Sequence, residues 1–94
     1  MPRAIFVFRR IRGLDTTVLL NSPVFSALQS NQSVYVDAEH GEEENELLRL
    51  CQSNDRRDLC SYSYNEVQTY HTDDERDALI NDLKTKHPNG YFTF

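Results

Sequence analysis

AIFVFRRI, residues 4–11, sets Ile5, Phe6, Val7 and Phe8 in an unbroken apolar run ahead of Arg9, Arg10 and Arg12. A half-exposed strand alternates apolar and polar side chains. One that is apolar at every position is covered on both faces, as central strands of α/β sheets are. Gly13 ends the run. The stretch LDTTVLL, residues 14–20, reads either as a short strand or as a helical turn capped by Asp15. Ser22-Pro23 is an N-cap followed by proline at the first helical position, and Val24, Phe25 and Leu28 share one face of the short helix it opens. Asn31-Gln32 forms a turn. SVYVD, residues 33–37, is rich in β-branched and aromatic residues and reads as a second strand.

Gly41 precedes a second helix. Glu42, Glu43 and Glu44 lie in its first turn, where the macrodipole favours negative charge, and Leu47, Leu48, Leu50 and Cys51 form its apolar stripe. LCSYSY, residues 59–64, alternates, so that Cys60, Tyr62 and Tyr64 point one way. The extended chain continues through Val67 and Tyr70. Thr72 and Glu75 make a capping box for a third helix, with Ala78, Leu79, Ile80 and Leu83 as its buried stripe. Lys84, Lys86 and His87 suit its carbonyl end, and Pro88 with Asn89-Gly90 stops it. YFTF, residues 91–94, is a closing strand.

Strands alternating with helices in this way imply an α/β or α+β domain: a mixed sheet of about four strands with two to three helices packed on it. A ferredoxin-like or a thioredoxin-like layout is compatible with the order. Ninety-four residues make one domain, 1–94. Apolar residues are 38% of the chain, a modest share, but five Tyr and five Phe enlarge the core that they can build. No stretch nears the roughly 20 apolar residues that span a bilayer. The run before Arg9 is also too short for a signal-peptide core, so a cytoplasmic location is expected. Cys51 and Cys60 then read as reduced thiols rather than as a disulfide, and no zinc-ligand spacing surrounds them.

Catalytic motifs are missing. There is no phosphate-cradling glycine loop, no HExxH and no GxSxG, and His40, His71 and His87 each suit a turn or helix-terminus role. Asp37, at a strand end, is the best single candidate for a metal-dependent hydrolase or nuclease site. The reading nonetheless expects no enzyme, no metal and no cofactor.

Charge is segregated. The net charge is −5, yet Arg3, Arg9, Arg10 and Arg12 crowd the start while Asp37, Glu39, Glu42, Glu43, Glu44 and Glu46 follow without a cation between them. The expected function is that of a small accessory or regulatory protein, an inhibitor or adaptor with an acidic face, acting through a protein–protein interface. Its expected contacts are Arg9, Arg10, Arg12, Glu42, Glu43, Glu44, Tyr62, Tyr64, Tyr91, Phe92 and Phe94, since arginines and aromatics are enriched in interfaces. A homodimer through the closing strand follows if that strand lies at a sheet edge. The less favoured reading is a single-stranded nucleic-acid module, with arginines on phosphates and bases stacked on Phe6, Phe8, Tyr62 and Tyr64.

Overall fold

A computed structural model describes residues 2–9, 22–52 and 64–94. The expected helix or strand at 14–20, the start of the strand expected at 59–64, and Arg10, Arg12, Cys60 and Tyr62 lie outside the described residues. Among the described residues, seven elements follow one another: β1 (Arg3–Phe8), α1 (Pro23–Gln29), β2 (Val34–Glu39), α2 (Glu43–Leu50), β3 (Tyr64–Tyr70), α3 (Asp73–Lys86) and β4 (Tyr91–Phe92).

The sheet order is β3-β1-β2-β4. β1 is central, and every one of its residues after Arg3 is buried, as its continuous apolarity requires. β1 runs antiparallel to both neighbours, with Phe6 opposite Val36 on one side and Val67 on the other, while β4 runs parallel to β2. β2 and β3 therefore run the same way and flank β1, joined through α2 in a split β-α-β arrangement of the ferredoxin-like kind. A register shift between Val7 and Phe8 places a bulge at the start of β3.

The pleat sorts the core into two layers. Ala4, Phe6, Phe8, Val34, Val36 and Ala38 face α1 and α2 and pack with Phe25, Leu28, Leu47 and Cys51. Ile5, Val7, Tyr35 and Tyr70 face α3 and pack with Leu83, Leu79, Ile80, Phe92 and Phe94. Ala78, read as part of α3's buried stripe, is exposed. At four residues before Asp82 and two before Ile80 it sits on the helix flank, and the contact is carried by Leu79, Ile80 and Leu83 instead.

Local chemistry sets the helix limits. The Ser22 hydroxyl accepts from the Val24 N–H and donates to the Leu50 carbonyl at 2.9 Å, joining the start of α1 to the end of α2. Past α1, Asn31 takes φ 62°, and the N–H groups of Asn31 and Gln32 return to the carbonyls of Leu28 and Ala27. This is the Schellman closure, with asparagine in the left-handed position. Thr72 accepts from the Glu75 N–H as the capping box requires, but the Glu75 carboxylate takes the N–H of His71, one residue further back. Gly90 is fixed by packing: a Cβ there would stand 2.5 Å from the buried Tyr35 ring.

A candidate docking face at one end of the sheet

The C-terminal ends of β2 and β3 lie beside the N-terminal end of β1, since Arg3 is registered against both Glu39 and Tyr70. α2 starts directly after β2 and α3 directly after β3. Both helices thus begin at the same end of the sheet, one on each face. Each has an acidic first turn, Glu43, Glu44 and Glu46 in α2 and Asp73, Asp74 and Glu75 in α3. With Glu39, Glu42 and Asp77 they form an acidic pole. Negative charge at helix N-termini is locally favourable, so the fold stabilises this concentration instead of merely tolerating it.

A cation-lined network sits at the middle of that pole. Asp37, its side chain only 10% exposed, accepts from the Tyr70 hydroxyl at 2.5 Å and from Arg76 Nε at 2.7 Å, with Arg3 Nε 3.5 Å away. Arg3 also donates to the Tyr70 oxygen and to the Asp37 carbonyl. Four elements meet in these contacts. Asp37 thus has its carboxylate oxygens engaged by a phenol and two guanidinium groups, tying β1, β3 and α3 to β2. Among the described residues no three His, Cys, Asp or Glu side chains gather as metal ligands would. Glu46 is held below the ordinary carboxylate range by its hydrogen bond with Arg49.

The Tyr70 pKa lies above the ordinary value, first because of burial and next because its hydroxyl donates to Asp37. Burial raises Tyr35 as well. For a group whose folded pKa is raised, the stabilisation is complete below the unfolded value, about 10 for tyrosine, and is lost as pH rises through the folded pKa. Urea unfolding measured on either side of pH ~10 should show the domain weakening on the alkaline side, with a shallower loss in Tyr70→Phe. An equal slope in both proteins would separate Tyr70 from the effect.

The other expected contact residues are dispersed. Arg9 reaches Glu66 at 3.3 Å and the Ser33 hydroxyl, at the far end of the sheet, and not the acid-rich helix. Glu42 is the N-cap position of α2 and accepts from the Asn45 amide, and Glu43 accepts from the Gly41 N–H. Tyr64 is 38% exposed with its ring edge-on to Phe6. Phe6 and Phe8 are buried, so neither offers a face to a nucleobase. The closing aromatics turn inward. Phe92 stacks on Tyr35 at 4.5 Å between ring centroids, Phe94 meets Phe92 edge-on, and Arg76 and Lys84 lie over Phe94 and Phe92. β4 does lie at an edge, but it pairs with only Val34 and Tyr35. Cys51 is a buried thiol within the α1/α2 layer.

Lys84, Lys86 and His87 close α3 at the end opposite the acidic pole. There, an open groove of about 780 Å³ lies between residues 30–33 and 86–90. Charge is thus polarised along the strands. Comparison with protein families, curated proteins and solved structures finds no match, so the site is read from its geometry alone.

Proposed function

We propose that the chain is a non-enzymatic accessory protein, an inhibitor or adaptor, that docks a basic surface of a protein partner against its acidic pole. One observation carries the reading: the acid-rich starts of α2 and α3 emerge at one end of the sheet, on its two faces. A field built from both helices steers a cationic partner. Such steering raises association rates roughly 10- to 10³-fold and fades with salt. The Asp37 network supports it by fixing α3 to the sheet, so that the two acidic turns keep a constant spacing.

The test is affinity capture from the native lysate with the wild type and with a Glu42→Gln/Glu43→Gln/Asp73→Asn/Asp74→Asn variant, at low and high salt. A basic protein should be retained by the wild type at low salt and released both by salt and by the four substitutions. Retention of the same proteins by both forms would end this reading.

A further inference from the structure

β3 is a seven-residue edge strand, and among the described residues nothing pairs with its outer side. Its sequence, YNEVQTY, has one charge and neither proline nor lysine, the residues that normally discourage pairing at an edge. The hydrogen-bond pattern tells which of its backbone groups point outward. Tyr91 and Thr93 donate to the carbonyls of Ser33 and Tyr35, so odd-numbered residues of β2 face β4 and even-numbered ones face β1. In β1 the even-numbered residues opposite them are engaged with β2. That leaves Ile5 and Val7 to bond Gln68 and Glu66 of β3. Val67 and Thr69 therefore present their N–H and C=O groups to the outside.

The geometry points to a second copy of this chain as the occupant of that edge. β3 would pair antiparallel with itself about a two-fold axis at Val67. Val67 then meets Val67 of the other copy as a hydrogen-bonded pair, and Glu66 faces Gln68 across a non-hydrogen-bonded site, where opposed side chains come closest. The register brings the strand's only charge against a neutral amide that can donate to it, and never against another carboxylate. Both side chains are exposed and lie on the α3 face. The bulge at Tyr64 is confined to the strand's start and leaves Glu66–Tyr70 regular. The result is a continuous eight-stranded sheet, with the acidic poles turned to opposite ends of the pair by the two-fold axis. This surface is separate from the acidic pole, and its failure would leave the docking proposal untouched.

Sedimentation of the full chain over roughly micromolar to millimolar concentration tests it. The wild type should pass from monomer to dimer across that range. Gln68→Glu places two carboxylate pairs face to face and should weaken the dimer about tenfold, while Gln68→Lys should tighten it. Val67→Pro removes an outward N–H that no ladder bond among the described residues uses, and should abolish the dimer while circular dichroism stays that of the folded domain. A wild type that is monomeric throughout overturns the inference. So does a dimer indifferent to both Gln68 substitutions.

Discussion

Replacing Asp37 with alanine is expected to lower the unfolding free energy by about 2–4 kcal/mol, and Asp37→Asn by roughly half as much. The carboxylate is nearly buried, and its loss leaves the buried Tyr70 hydroxyl without its acceptor and Arg76 with only the longer, exposed pair to Asp77. Asparagine keeps an acceptor oxygen for Tyr70 but no charge for the arginines. Arg3 is 47% exposed and can turn to water, so Arg3→Ala should cost under about 1 kcal/mol. Urea denaturation of the three variants checks the order. An Asp37→Ala protein as stable as the wild type would mean that the network does not hold α3 to the sheet.

The larger loss is expected from Phe6→Ala, about 3–5 kcal/mol, a large part of the 5–15 kcal/mol available to a domain of ordinary stability. Phe6 is fully buried in the central strand, in a layer to which all four strands and both α1 and α2 contribute. Its ring also meets His40 and Tyr64 edge-on. The rigid strands on either side limit collapse into the space vacated. Thermal unfolding should fall by about 15–30 °C, and a shift of only a few degrees would show that the layer repacks.

The legible part of the fold was that written in local pattern. Ile5–Phe8 carried the centre of the sheet because burial on both faces leaves no polar position. Ser22-Pro23, Thr72 and the Asn31 turn announced themselves because capping and left-handed backbone demand particular side chains. The inward contacts of the closing aromatics leave no local mark: Tyr35 is a large ring at a strand's inner face, and Phe92 covers it. In the acidic pole, only the residues from Asp37 to Glu46 were legible as a charge cluster. Asp73, Asp74 and Glu75 follow the Thr72 cap as an ordinary acidic first turn, and their meeting with α2's acids depends on β2 and β3 running the same way. A strand-helix-strand connection favours that direction, so a signal existed. The partners of Asp37 left none, since Tyr70 and Arg76 lie over thirty positions away and nothing in their neighbourhoods marks them.

Whether the two acidic helix starts act as one surface is tested directly by titrating isotope-labelled protein with a short oligolysine peptide, followed by NMR. Amide shifts should move together with one binding curve at residues 42–46 and 73–77, and vanish in high salt. Shifts confined to one helix, or two curves of different affinity, would contradict it.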